Sequence, residues 1–176
     1  MKAPLRRYLK SQSGFTLVEL IVASAIGLIV MTGLTSVVLT SWRAWVTATG
    51  RVEASSAIRN FQFQGNDDFA LSSLPVPPGC GTSASNQCST QPITLQGSQF
   101  DKSGAVSAYR VTYTWDGTSL LMRQIGANPP REAATNVSAF SWYVDGSTQA
   151  VVATISVTVQ SYTQTQTLRF YTHVNP

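Results

Sequence analysis

Charged residues are scarce in this sequence, and the few present are unevenly placed. Asp, Glu, Lys and Arg make up 11% of the 176 residues, whereas about 25% is usual in soluble globular domains. The formal net charge of +4 comes entirely from four basic residues before Gly14, namely Lys2, Arg6, Arg7 and Lys10. The chain after Gly14 therefore carries no net charge. This argues against strong direct binding to nucleic acid, whose affinity comes chiefly from Lys and Arg contacts to phosphate.

Residues that carry out catalysis or bind metals are equally scarce. The chain has two cysteines, one histidine and no Cys-x-x-Cys pair, so Cys and His alone cannot complete a four-ligand zinc site. Neither a Gly-x-Ser-x-Gly motif nor a P-loop occurs. His173 is predicted to be an exposed strand position, and Asp67 and Asp68 are predicted to lie on a solvated helix end. The sequence thus predicts no enzyme, no metal site and no cofactor.

Proline is absent from Phe15 to Leu74, and the first part of that stretch is almost free of charge. Residues 15–42 form an apolar run of 28 residues whose only charged residue is Glu19. As an α-helix the run would be roughly 42 Å long, which exceeds the ~30 Å hydrocarbon core of a bilayer. Together with the basic cluster before it, the run predicts a single membrane span whose amino terminus stays in the cytoplasm.

A cleaved secretory signal peptide is the first alternative, because it also places basic residues before an apolar run. The run here is about twice the usual length of roughly 7 to 15 residues. Its Ala-x-Ala site, Ala23-Ser24-Ala25, lies inside apolar sequence. Since a signal-peptidase site normally ends the apolar stretch, the sequence favours a retained helix.

Glu19 admits two interpretations from its position alone. A carboxylate in the middle of a membrane helix costs about 2.5 to 3.5 kcal/mol on insertion scales and is by default a functional residue. Near the cytoplasmic end of the span, the same side chain would simply extend to the headgroup region. Position alone leaves both interpretations open.

The residues around Glu19 resemble a known processing site. The segment Gly14-Phe15-Thr16-Leu17-Val18-Glu19-Leu20, between a short basic leader and a long apolar helix, is similar to the cleavage and methylation motif of type IV prepilins. The resemblance implies a prepilin peptidase that cuts after Gly14 on the cytoplasmic side and N-methylates Phe15. It also implies that Glu19 pairs with the terminal amine of a neighbouring subunit. Such a pair would neutralise two groups that otherwise lack partners in an apolar bundle.

Beyond the apolar run, the helix is predicted to continue to the mid-60s, with apolar residues on one broad side. Residues 75–105 are rich in Pro, Gly, Ser and Gln and are predicted to form a loop, with a short strand at 93–95. Cys80 and Cys88 lie in this loop. Because two nearby cysteines outside the cytoplasm usually pair, we predict a disulfide, with metal or redox chemistry as the alternative.

Residues 106–175 alternate between apolar and polar positions and carry two Asp-Gly turn signals. The pattern predicts five consecutive strands, at about 109–115, 120–123, 137–144, 151–160 and 168–174, joined as one antiparallel meander. One face of this sheet is predicted to be covered by the helix. The predicted fold is therefore α+β and pilin-like, with a long amino-terminal helix packed on an antiparallel sheet.

This order of helix, loop and sheet is similar to that of minor pilins of the PilW type and of the type II secretion pseudopilin GspJ. The resemblance implies a removed leader at 1–14, a transmembrane and assembly segment at 15–42, and an extracytoplasmic domain at 43–176. It implies residence in the inner membrane and then in a pilus, at the cell surface or in the periplasm. The implied partners are the prepilin peptidase, other major and minor pilins, and an inner-membrane assembly platform.

Three classes of function fit these features. The first is a structural subunit. It would be a minor pilin that initiates or decorates a pilus used in twitching, adhesion or DNA uptake, or a minor pseudopilin of type II secretion. The second is an adhesive or DNA-binding module at a pilus tip. The third is a single-pass membrane protein whose match to the motif is accidental.

The processing motif makes a direct prediction about the mature protein. In cells with active prepilin peptidase, we expect the chain to begin at N-methylated Phe15, as measured by intact-mass spectrometry. Replacing Gly14 with Leu should leave the leader attached, because a bulky side chain then precedes the scissile bond. Cleavage after Ala25, or no cleavage at all, would show that the motif is not processed.

Overall fold

The computed structural model describes residues 14–75, 79–100 and 103–172. The chain divides into two compact units, with the boundary between Ala44 and Trp45. His173 and the basic residues of the leader lie outside the described residues, so the predictions made for them stay predictions.

Helix α1 runs from Leu17 to Ala70 and is 54 residues long. It starts two residues later than predicted and continues about one turn past the mid-60s. Within the second unit its buried positions repeat at intervals of three and four residues, which is the spacing of one helix face. These positions are Gly50, Ala54, Ile58, Phe61, Gly65, Asp68 and Phe69. The final turn remains helical because Asp68 and Phe69 at its base are themselves buried.

Eight strands follow the helix and form two antiparallel sheets. The five-stranded sheet has the order β1-β2-β3-β4-β5 and the three-stranded sheet the order β6-β7-β8. The strands are β1 (Ser72–Ser73), β2 (Ile93–Phe100), β3 (Val106–Trp115), β4 (Leu121–Ile125), β5 (Arg131–Ala134), β6 (Val137–Asp145), β7 (Ala150–Val159) and β8 (Tyr162–Tyr171). The predicted α+β class is confirmed. The prediction that the strands form one five-stranded meander was wrong, because they form two sheets.

The differences from the predicted strands have local causes. The chain passes from β5 to β6 through Thr135 and Asn136, and Asn136 has a φ of 57°, a left-handed conformation that interrupts strand geometry. Strand β2 occupies eight residues of the predicted 75–105 loop. Strand β8 begins at Tyr162, six residues earlier than predicted. Its first half is a run of Thr and Gln, so it lacks the apolar alternation that indicates a strand.

Aromatic side chains join the helix to both sheets in the core of the second unit. The ring of Phe61 makes edge contacts with Tyr113 of β3, Phe140 of β6 and Phe170 of β8, at centroid distances of 5.5, 5.8 and 5.4 Å. Phe69 stacks on Phe170 with centroids 4.5 Å apart. Because these rings come from the helix and from both sheets, the helix supplies a core that the two sheets share.

The cysteine loop is fastened to the edge of β6. Cys80 and Cys88 are joined by a disulfide. The backbone N–H of Cys88 donates to the Trp142 carbonyl at 2.9 Å, and the Trp142 N–H donates to the Cys88 carbonyl at 2.8 Å. Gly81 has a φ of 75°, and a Cβ there would lie 3.0 Å from the Cys88 Sγ. The loop therefore requires glycine at this position both for its conformation and for space.

Gly65 offers a test of the packing between helix and core. In Gly65→Ala the new methyl group would lie 2.7 Å from Cε1 of Phe170, and that ring is held by its stack on Phe69. Overpacking costs about 1 to 3 kcal/mol, which should exceed the roughly 1 kcal/mol gained from the better helix former. We expect the thermal unfolding midpoint of the full chain to fall by a few degrees. Asn66→Ala, at the adjacent exposed position, is the control and should not lower it. An unchanged midpoint in Gly65→Ala would contradict the packing described.

Candidate functional site

The residues of the predicted processing site lie at the start of the described chain. Gly14, Phe15 and Thr16 precede the helix in a non-helical conformation, and all three are exposed. Phe15 is 81% exposed, and a Cβ placed on Gly14 would meet no atom within 4 Å. Within the described residues, the peptide bond between Gly14 and Phe15 is thus open to a protease.

Glu19 and Thr16 cap the amino end of the helix reciprocally. The Glu19 Oε2 accepts hydrogen bonds from the Thr16 backbone N–H at 3.1 Å and from its hydroxyl at 3.0 Å. The Thr16 Oγ1 accepts from the Glu19 N–H at 3.3 Å. This is a capping box, whose sequence signature is Ser or Thr followed three residues later by Glu or Gln. The signature is present at Thr16 and Glu19, so local sequence is enough to predict this cap.

Between Glu19 and Ala44, five Ser and Thr side chains of the helix hydrogen-bond to the helix's own backbone. Hydroxyl groups donate to carbonyls three or four residues earlier, as in Thr32 to Leu28 at 2.5 Å and Thr35 to Met31 at 2.8 Å. Ser24, Ser36 and Thr40 do the same. Their large apolar neighbours are exposed. A helix with exposed apolar side chains and internally bonded hydroxyls suits hydrocarbon. Its length and composition are sufficient to cross a membrane.

A cluster of ionisable side chains surrounds Asp68 in the last turn of α1. The Tyr109 hydroxyl donates to Oδ1 at 2.6 Å and the Tyr113 hydroxyl donates to Oδ2 at 2.5 Å. Arg123 donates through Nε to Oδ2 at 2.6 Å and through Nη2 to Oδ1 at 2.5 Å. The Asp68 side chain is 1% exposed and that of Arg123 is 19% exposed. We call these four residues the Asp68 cluster.

Sheet geometry places the partners of Asp68. Tyr109 and Tyr113 are four residues apart on β3 and therefore point to the same face. Arg123 on β4 lies directly opposite Tyr113 in the antiparallel register. The prediction of a solvated helix end holds for Asp67, which is exposed, and was wrong for Asp68. The helical period distinguishes the two residues, since Asp68 lies seven positions after Phe61 on the buried face. No local signal identifies the partners of Asp68, which lie 41 to 55 positions later.

The electrostatics of the cluster keep its tyrosines as hydrogen-bond donors. Burial, followed by the hydrogen bond to Asp68, raises the pKa of Tyr109 to about 12. Burial and the charge of Asp68 raise the pKa of Tyr113 as well. Hydrogen bonding to Asp68 raises the pKa of Arg123. Because the folded pKa of Tyr109 exceeds its ordinary value of 10, its contribution to stability is fully present below pH 10. That contribution is lost as the pH rises through about 12.

The arrangement of the Asp68 cluster is structural. Each carboxylate oxygen accepts two hydrogen bonds, and the acid is closed off from solvent, so it offers no free base. Within the described ranges, no group of three or more His, Cys, Asp and Glu residues could hold a metal ion.

Comparison with known proteins bears on the amino-terminal residues. Residues 9–35 match a family model described as the prokaryotic N-terminal methylation motif. No curated protein and no solved structure matches the chain. The match confirms the predicted type IV prepilin signature and supports a pilin-like or pseudopilin-like protein. The motif is typical of structural subunits and not of an enzyme family. The PilW or GspJ subtype stays a prediction.

The Asp68 cluster can be tested by a double-mutant cycle. We expect Asp68→Asn to lower the free energy of unfolding by about 3 kcal/mol, because breaking a buried pair leaves the Arg123 guanidinium without its counter-charge. Arg123→Met should cost a similar amount, and the double variant should cost clearly less than the sum. Asp67→Asn, at the exposed neighbour, is the control and should change stability by less than about 0.5 kcal/mol. Additive effects in urea unfolding would show that the pair does not act as a unit.

Proposed function

We propose that this chain is a minor type IV pilin, a structural subunit that takes part in initiating or decorating a pilus. The observation that carries the proposal is the methylation motif with Glu19 five residues into the predicted mature chain. The exposed apolar helix that follows supports it, since such a surface needs either lipid or other helices around it. The absence of proline from Phe15 to Leu74 distinguishes the chain from the many major pilins that carry a helix-breaking proline.

In this proposal Glu19 serves both its own helix and a neighbouring subunit. The hydrogen bonds from Thr16 all end on Oε2, so Oε1 can accept from a second group. The methylated amine of Phe15 in an adjacent subunit is a cation of suitable size. Pairing would neutralise the carboxylate and the amine together in an apolar bundle, where each alone would be costly.

The proposed life cycle follows from the order of the segments. The basic leader holds the amino terminus in the cytoplasm while α1 spans the inner membrane, and the peptidase then removes residues 1–14. Residues 15–42 remain as the membrane and assembly segment, and residues 43–176 lie outside the cytoplasm. The partners in this cycle are the peptidase, other pilins and an inner-membrane platform, and the mature subunit finally enters a pilus.

The alternative assignment is a minor pseudopilin of type II secretion, which would use the same motif, helix and partner classes. A deletion strain separates the two assignments. Loss of pili with normal release of secreted proteins favours the pilus, and the reverse result favours the secretion system. Complementation with the wild-type chain is the control, and a strain normal in both assays would contradict both assignments.

The role of Glu19 in assembly predicts unequal effects of two substitutions. Glu19→Ala removes the carboxylate and leaves the neighbouring amine unpaired, so recovery of crosslinked neighbouring pilins should fall several-fold while the membrane pool is unchanged. Thr16→Val removes the capping hydroxyl and keeps the carboxylate, so it should lower recovery much less. If the two variants behaved alike, Glu19 would act only as a helix cap. If Glu19→Ala crosslinked as well as wild type, the pairing would be excluded.

A further inference from the structure

The outward face of the three-stranded sheet carries a regular array of hydroxyl groups. Three successive residue pairs face each other across β7 and β8, and all six members are Ser or Thr. Each β7 member is half-buried and each β8 member is exposed. We call this array the hydroxyl ladder, and its pairs are Thr154 with Thr167, Ser156 with Thr165, and Thr158 with Thr163.

Every pair of the ladder is joined by a side-chain hydrogen bond. The oxygen-to-oxygen distances are 3.0, 2.8 and 2.9 Å along the ladder, from Thr154 to Thr158. The Thr158 hydroxyl also bonds Ser138 of β6 at 2.9 Å. The ladder thus extends toward a third strand and fixes its own hydroxyl groups.

This fixed geometry prepares the face for a ligand. Thr has a stiff χ1, and the cross-strand bonds hold the paired hydroxyl oxygens 2.8 to 3.0 Å apart. Successive pairs repeat about every 6.8 Å along the strands. Each hydroxyl has one donor and two acceptor positions, so a single bond to its partner leaves further capacity. Binding would therefore cost little additional side-chain entropy.

The charge of the face indicates what kind of ligand would match it. The ladder contains no charged residue. The charged residues that follow on the same face, Asp145 and Arg169, form an ion pair with each other at 3.3 Å. A face without unpaired charge gives no attraction to phosphate or to acidic polymers. It matches a partner that is itself uncharged and rich in hydroxyl groups.

An exposed aromatic ring lies on the same face. Tyr171 is two residues beyond Arg169 on β8 and so points to the ladder's side of the sheet. It is 63% exposed. The flat apolar ring of tyrosine with its polar tip complements a sugar ring, which has an apolar C–H face and a rim of hydroxyls.

We propose that the hydroxyl ladder and Tyr171 form a binding surface for a neutral polysaccharide. The polymer would lie along the sheet, exchanging hydrogen bonds with the Ser and Thr hydroxyls and placing a sugar ring on Tyr171. The surface lies wholly within the second unit and is independent of the Glu19 pairing proposed above.

The test is retention of the full mature chain, in mild detergent, on microcrystalline cellulose and on crystalline chitin. The main variant is Thr163→Val, Thr165→Val and Thr167→Val together, which keeps shape and strand propensity and removes three hydroxyls. Its matched control is Thr112→Val with Thr114→Val, on β3 of the other sheet. Tyr171→Ala is a second, independent variant at an exposed position, and Glu19→Ala should bind like wild type.

We expect wild type and both controls to be retained on at least one of the two polymers. The triple variant should bind at least tenfold more weakly, and Tyr171→Ala should bind several-fold more weakly, with unchanged circular dichroism in each. Three results would overturn the proposal: no retention of wild type, equal loss in the Thr112 and Thr114 control, or stronger retention on anionic heparin–agarose than on either neutral polymer. Loss of self-association in the triple variant without polysaccharide binding would instead identify the face as a contact between copies.

Discussion

The packing of the second half of α1 against both sheets is the contact on which the globular part depends. Phe61 reaches rings on β3, β6 and β8, and Phe69 stacks on the same Phe170 that closes over Gly65. Neither sheet has another element to cover this face within the described residues. The second half of the helix is therefore the centre of a core that both sheets share. It can pack this closely because Gly65 has no Cβ to collide with the ring of Phe170.

What the sequence could predict is set by how local each signal is. The apolar run, the prepilin signature and the two cysteines are read from neighbouring residues. The capping box is equally local, since Thr16 and Glu19 are three residues apart, and its signal is independent of any membrane or assembly role of Glu19. The role of Asp68 depends on residues of β3 and β4, and the start of β8 is hidden by its Thr and Gln residues. The break between the two sheets falls at Thr135 and Asn136, where Asn136 has a positive φ, and side-chain periodicity does not show where one sheet ends and the next begins.

The same small polar residues serve opposite purposes in the two units. Along α1 between Glu19 and Ala44, Ser and Thr hydroxyls turn back onto backbone carbonyls of their own helix, which hides their polarity. On β7 and β8 they bond across strands and remain at the surface. Composition alone cannot separate these uses. The period of the element separates them. In a helix the hydroxyl reaches a carbonyl one turn earlier, whereas in a strand it faces a side chain of the neighbouring strand.

The position of Asp68 affects when the last turn of the helix forms during folding. An acidic group in the last turn opposes the helix dipole, and that turn contains no basic residue. The cation that neutralises Asp68 is Arg123, which lies 55 residues later in the chain. During folding we therefore expect the last turn of the helix to form only once β4 is in place beside it. Completion of the last turn would thus be a late event that depends on a long-range contact.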